Sequence, residues 1–430
     1  MHPRVLIVST IPYDPNTSSR AFDSYFHNWE KENLRQIFSN PNRPMKGHCG
    51  SLFQITDSDV LMRRLHRSRN VGRIYDYEDC LSKPENAISY KTRKTFISWL
   101  YKLGANKTPL NHLARKWLWK EKIWKTDLLT NWLDDFKPQC VFIGFSDDFF
   151  INEIALFTAD RFNIPIMCCI GDDYYFNEKF SISPFYHIYK SKYKRIINRI
   201  FEHKCSAIYI SDKICKKYNS FFKIHGKTVY LTSIIQRRNF IPINASSPLI
   251  TYCGNIRLGR NKSLVDIADA LSIINPSVHL KIYSGETSKK YIKPLQKHSN
   301  IDYLGSISYK EVVKVFQESD VVLVVEGFKK ADVNITRYSL STKAADSITS
   351  GCQIIAYGST ECGVIEYMEN TKCSVVCSSR KELINKIDEL LNDITLQQNL
   401  YYQSAIVLRE NHNLKKSNAI SEQLFNELIG

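Results

Sequence analysis

No stretch of apolar residues in this chain approaches the roughly 18 to 20 that a membrane-spanning helix needs. The opening MHPRVLIVSTIPYD is strand-like and lacks the long apolar region of a secretory leader, so a cytoplasmic location is expected. CxxC pairs are missing as well, and the twelve cysteines are scattered. Cys140, Cys168, Cys169, Cys253 and Cys352 fall in strand-like apolar runs, which points to reduced, mostly buried thiols rather than a disulfide framework. No DxD triplet ends an expected strand, so no motif calls for a metal, and no cofactor is implied. Low-complexity tracts and internal repeats are absent too.

Acidic residues are scarce in one half only. Residues 1–250 hold 38 Lys and Arg against 23 Asp and Glu, whereas residues 251–430 hold 21 against 20. All but one unit of the net charge of +16 therefore belongs to the first half, and it favours phosphate-bearing partners or an anionic membrane surface. With 43% hydrophobic and 24% charged residues the chain is globular in composition, and 430 residues exceed one ordinary core.

Strand-like and helical segments alternate along the second half. Strands are expected at 250–253, 280–284, 301–304, 321–325, 353–356 and 373–376, with helices at 263–274, 289–297 and 309–318 between them. The first half alternates less regularly, with strands at 5–10, 139–144, 164–170, 207–211 and 228–231 and a helix at 152–162. This pattern predicts two parallel sheets with helices on both faces, that is, two Rossmann-like α/β domains. The segment Ile241 to Pro248, with its two prolines, sets the expected boundary: residues 1–242, then 243–412, then a terminal helix within 413–430.

The most informative segment is RYSLSTKAADSITSGCQIIAYG, Arg337 to Gly358. It reads as a polar loop, a helix starting near Ser341 that carries Lys343 and Asp346, a stop at Ser350-Gly351, and an apolar strand. A helix N-terminus gathers unpaired N–H groups that suit phosphate, and a carboxylate one turn on can accept from ribose hydroxyls. Asp346 is equally readable as an exposed helix residue or a partner of Lys343, and Ser341 and Thr342 as helix caps. Upstream, ITYCGNIRLGRNKSL places Gly254 after a strand and then Arg257, Arg260 and Lys262 close together. Fixed cations there would stabilise charge growing on a diphosphate leaving group, unless they are surface charges opening a helix.

These two segments resemble the donor side of the GT-B glycosyltransferases, in particular the retaining family-4 type. The resemblance implies two Rossmann-like domains facing across a cleft, with the nucleotide-sugar in the second and the acceptor in the first. The terminal helix is then expected to return to the first domain. It further implies that Asp346, five positions before Gly351, holds the ribose, and that Gly254, Arg257, Arg260, Lys262, Thr336, Arg337, Ser341, Thr342 and Lys343 belong to the donor site. The family's first glutamate would fall on Tyr338 in this sequence; either Glu326, ending the strand 321–325, replaces it from a longer loop, or the sugar is held differently.

In the first half, TSSRAF follows the first strand and offers Ser19 and Arg20 toward an acceptor, or a helix cap and a solvated arginine. GDDYYF follows the strand 164–170, so Asp172 and Asp173 stand where a carboxylate can orient or deprotonate an acceptor hydroxyl, or cap a helix. Residues 91–125 interleave cations with aromatics, among them Trp99, Arg115, Lys116, Trp117, Trp119 and Trp124. The pattern fits an amphipathic helix at an anionic membrane, or ordinary helices with aromatics in the core. The combined expectation is a metal-independent glycosyltransferase, a hexosyltransferase-like enzyme that moves a sugar to a saccharide or lipid-linked saccharide in surface polysaccharide assembly, with peripheral membrane contact and no nucleic-acid partner. The alternatives are a sugar-nucleotide epimerase of the same architecture and a basic nucleic-acid-binding protein. Asp346→Ala and Arg260→Ala are expected to lose nucleotide binding without unfolding.

Overall fold

Short runs of β-branched and apolar residues, each bounded by turn formers, become buried strands in this computed structural model, which describes residues 2–14, 21–65, 70–82, 108–178 and 180–430. The chain divides into two compact units. One comprises residues 1–209, 215–228 and 418–430, the other residues 210–214 and 229–417.

The first unit contains the strands β1 (Val5–Val8), β2 (Leu34–Phe38), β3 (Ser51–Gln54), β4 (Arg73–Asp76), β5 (Cys140–Gly144), β6 (Ile166–Ile170), β7 (Cys205–Tyr209) and β8 (Gly226–Thr228). They form one sheet in the order β4-β3-β2-β1-β5-β6-β7-β8. Every pairing is parallel except β3 with β4. The described helices of this stretch are α1 (Asp23–Phe26), α2 (Asp57–Leu65), α3 (Pro109–Leu118), α4 (Glu121–Trp124), α5 (Asp127–Phe136), α6 (Phe149–Phe162), α7 (Pro184–Glu202) and α8 (Asp212–Phe222). Strands β2, β3 and β4 were not foreseen. Polar residues interrupt their short runs, and Gln36, Ser51 and Gln54 are buried because each finds a hydrogen-bond partner inside.

The second unit holds β9 (Ile250–Cys253), β10 (Leu280–Tyr283), β11 (Ile301–Gly305), β12 (Val321–Val325), β13 (Gln353–Tyr357) and β14 (Val375–Cys377) in the order β11-β10-β9-β12-β13-β14, all parallel. Its helices are α9 (Arg260–Ile274), α10 (Lys289–Gln296), α11 (Tyr309–Glu318), α12 (Lys330–Thr336), α13 (Thr342–Ser350), α14 (Gly363–Thr371), α15 (Arg380–Asn392) and α16 (Ile394–Asn411). Helix α9 shows why these segments fold so: Leu264, Ile267, Ala268 and Leu271 share one stripe and pack on Ile250, Leu280 and Val321. A capping box of Ser308 with Glu311 starts α11. The last helix, α17 (Leu414–Ile429), carries Phe425 into an aromatic cluster of the first unit with Phe26, Trp29 and Phe142.

Both sheets share one topological property. From the first strand the chain steps outward on one side (β2 to β4, β10 to β11), then returns to the other side of that strand (β5, β12). Open α/β sheets take ligands beyond the C-terminal strand ends at such a reversal, which here means the ends of β9 and β12 and, in the first unit, those of β1 and β5.

Candidate functional site

In the second unit, the residues at this reversal come from the three segments that end or begin there. Gly254 follows β9 with φ of 147°, and a side chain at that position would meet the Lys343 chain at 2.8 to 3.2 Å. Glycine is needed here so that the lysine can lie across the backbone. Glu326 follows β12 and is 3% exposed. From the first turn of α9, Arg260 donates from Nη2 to Glu326 Oε1 at 2.7 Å and from Nε to the Val325 carbonyl at 3.2 Å. Ser263, three residues on and on the same face, donates to the Glu326 carbonyl at 2.7 Å. Two bonds and an ion pair thus fix the end of β12 to the start of α9. Glu326 Oε2 is buried with no hydrogen-bond partner.

Lys343 enters from α13. Its Nζ donates to the Tyr252 hydroxyl at 2.9 Å. Desolvation, with Arg260 as a nearby like charge, pushes the ammonium down to about 7, against a smaller opposing pull from Glu326. Arg260 is shifted the other way: burial alone would lower it, but Glu326 holds it above its ordinary value. Helix α13 itself begins as its sequence requires. Ser341 Oγ accepts from the Lys343 N–H at 3.2 Å, Thr342 occupies the first helical position, and Gly351 ends the helix in the left-handed region with φ of 78°.

Asp346 is neither exposed nor paired with Lys343. It is 3% exposed, and its Oδ1 accepts from Ser233 Oγ at 2.6 Å and from the Tyr309 hydroxyl at 3.0 Å. The three neighbouring cations do not act as one group. Arg260 turns inward, exposed Arg257 pairs with Glu286, and Lys262 is exposed. The cause is geometric: Lys262 lies two residues beyond Arg260, some 200° around α9, while Arg257 precedes the helix. Thr336 is buried with its hydroxyl on the Asp332 carbonyl and Cys362 Sγ, and Arg337 pairs with Glu361 at 2.7 Å.

In the first unit, Ser19 and Arg20 lie outside the described residues. Asp173 is buried and accepts from the Phe176 N–H and the Tyr218 hydroxyl, both at 2.8 Å, so it holds the turn after β6. Asp172 beside it is exposed and accepts from Tyr174 at 3.4 Å. A pocket lies at the ends of β1 and β5, lined by Ser9, Thr10, Phe22, Ser146, Asp148 and Tyr174 among others. Sequence reasoning missed the group beside it. His112, buried and stacked on Tyr189, has Nε2 3.6 Å from Asp147 Oδ2, and Arg115 Nη1 donates to Asp148 Oδ1 at 2.6 Å. The only signal was the acidic pair Asp147-Asp148 just past a strand, since its partners lie some 35 residues earlier.

Of the basic aromatic stretch, residues 91–107 lie outside the described residues. In the remainder, Trp119 and Trp124 are core residues, the former stacked on Phe150 at 3.8 Å, while Trp117 is 58% exposed. All twelve cysteines are free thiols.

No protein-family model matches this sequence, and no curated protein gives a significant match. Solved structures do. Sucrose-phosphate synthase from Thermosynechococcus elongatus aligns with a TM-score of 0.59 at 11% identity over 99% of this chain and 98% of that one. HepE of Anabaena, solved with UDP and glucose, aligns with a TM-score of 0.58 at 11% identity over 99% and 100%. S. aureus TarM, solved with fondaparinux, alpha-GlcNAc-glycerol and UDP, aligns with a TM-score of 0.50 at 14% identity over 70% of this chain. This chain spans 58% of TarM's length. The two parallel-sheet units together have the GT-B fold, the architecture of these glycosyltransferases.

Proposed function

We propose that this protein is a glycosyltransferase that takes a nucleotide-sugar in its second unit and passes the sugar to a saccharide or lipid-linked saccharide. The carrying observation is Glu326. A buried carboxylate with one oxygen lacking a partner is costly, and this one stands near Arg260 and Lys343 at the strand ends where an α/β sheet takes its ligand. A sugar hydroxyl donating to Oε2 would satisfy it. Arg260 and Lys343 then face the diphosphate, whose charge grows as the bond to the anomeric carbon breaks, so they favour the transition state over the bound donor. The N–H groups opening α13 add a neutral source of positive potential. Asp346 lies one turn further along and receives the ribose end of the donor. These cations do what a metal does for a diphosphate, which supports metal-independent transfer.

On the acceptor side, the pocket beyond β1 and β5 suits a hydroxyl-bearing acceptor, with the His112–Asp147 pair as the neighbouring proton acceptor. A membrane-borne acceptor is favoured by the exposed apolar residues Phe180 and Ile182 just before α7 and Phe185 and Ile188 at its start, together with Trp117. Trp117, Phe185 and Ile188 line one groove that also carries Lys116, Lys120, Lys192 and Arg199 against Glu121, Glu153 and Asp160, an apolar surface with a small surplus of cations of the kind anionic interfaces attract. Failure of the protein to float with anionic vesicles at low salt would remove the membrane part of the reading.

The test of the donor reading is thermal stabilisation by UDP, GDP and ADP set against a single-stranded oligonucleotide, followed by a nucleotide-sugar hydrolysis panel read by mass spectrometry. One nucleoside diphosphate at a hundred times its Kd is expected to add about 2.7 kcal/mol. Stabilisation by the oligonucleotide and by none of the nucleotides would overturn the proposal.

A further inference from the structure

Among the described residues, one group of three metal-ligating side chains converges, and none of the three has been used in the donor or acceptor sites above. Asp23, His27 and His48 each present a ligand atom within 4.8 Å of the other two. Asp23 opens α1, His27 follows one turn later, and His48 belongs to the connection between β2 and β3. The i, i+4 spacing sets the first two on one side of the chain, and the third is brought in by the fold.

We infer that Asp23, His27 and His48 form a binding site for a divalent late transition-metal ion of the zinc type. Two nitrogens and one carboxylate oxygen are the donors such ions select, whereas magnesium and calcium prefer all-oxygen sites. Ligands about 2.1 Å from one tetrahedral ion lie roughly 3.4 Å apart. His48 Nε2 and Asp23 Oδ1 are already 3.5 Å apart. The exposed His27 side chain closes the third edge by rotation.

The two inner ligands are held in place from behind. The buried Tyr13 donates its hydroxyl to Asp23 Oδ1, and its ring lies 5.3 Å from the His48 ring, so one residue orients both. Tyr13 is itself fixed through its N–H to Gln36 Oε1 at 2.7 Å, and the Asp23 carbonyl accepts from Asn418 Nδ2 at 3.0 Å. Such outer-layer bonds to the ligands are what a metal site needs in order to fix their direction. The second imidazole, that of His27, stands with its ring centre 6.0 Å from that of His48. Three protein ligands leave the outward coordination position to water or to an anionic oxygen.

The experiment is titration of the metal-stripped full-length protein with Co²⁺, then competition with Zn²⁺. One equivalent should bind and give visible ligand-field bands without a thiolate-to-cobalt charge-transfer band, which separates this site from the twelve cysteines. His27→Ala, at an exposed position, and His48→Ala should each weaken binding at least tenfold while far-UV circular dichroism stays that of the parent. The absence of saturable binding, a thiolate band, or unchanged affinity in either histidine variant would overturn the assignment.

Discussion

Arg260 and Glu326, 66 residues apart in sequence, meet as a buried ion pair with Nη2 2.7 Å from Oε1, at the point where β12 ends and α9 begins. Removing either partner alone leaves a charge in a desolvated place. Arg260→Ala is therefore expected to cost about 3 to 5 kcal/mol of stability, which revises the expectation that it would act on binding alone. A urea titration of both proteins measures this, and a loss under about 1 kcal/mol would show the pair to be solvated.

Glu326→Gln keeps the shape of the side chain and weakens its acceptance of a hydroxyl. Loss of one charge-assisted bond, about 1.5 to 3 kcal/mol, lowers kcat/KM tenfold to about a hundredfold. Steady-state kinetics with the nucleotide-sugar found by the hydrolysis panel provide the measurement. Unchanged kcat/KM would remove Glu326 from the sugar's surroundings.

The depressed Lys343 predicts proton uptake on donor binding. With its value near 7 in the folded protein and about 10.4 in the unfolded chain, the unfolded state holds more protons between these limits. Stability from this group accordingly rises with pH across that window. A bound diphosphate restores the charge, so at pH 8 the calorimetric enthalpy of nucleotide binding should vary with the ionisation enthalpy of the buffer, in the sense of uptake. Lys343→Met should abolish the variation, and a parent protein without it would refute the role.

Gly254→Ala tests the lysine's seat. The added methyl falls within 3 Å of Lys343 Nζ and Cδ at a backbone angle that alanine disfavours. Nucleotide affinity is expected to fall at least tenfold, with the buffer dependence at pH 8 diminished. Equal affinity would mean that Lys343 can move without consequence.

Asp346 carries two hydroxyl partners, so Asp346→Ala should lose stability as well as nucleotide affinity. Removing the acceptor that Ser233 and Tyr309 share costs about 1 to 3 kcal/mol, whereas Ser233→Ala alone should lower stability by about 1 kcal/mol and leave nucleotide binding near the parent value. Thermal shifts with and without nucleotide separate the two effects.

The second unit was the more legible from sequence, because its strands are uninterrupted apolar runs such as VVLVV and its helices carry their own start and stop signals, as at Ser341 and Gly351. Periodicity and caps are local properties, and local properties survive in a string of letters. The inward turn of Arg260 is not local: it depends on Glu326 arriving from another strand, so the sequence offered three equivalent cations where the fold makes only one of them internal. The same limit hid His112. Its meeting with Asp147 requires α3 to lie against the end of β5, and no spacing rule links the two.

Among the described residues, one antiparallel strand finishes the first sheet. β4 has four residues, and Arg73 and Asp76 at its two ends are exposed. An extended segment of another chain that sought to lengthen the sheet along this border would have to strip water from opposite charges for very few backbone bonds. The border therefore discourages strand-by-strand aggregation, a protection set by a shape and charge pattern far from any ligand.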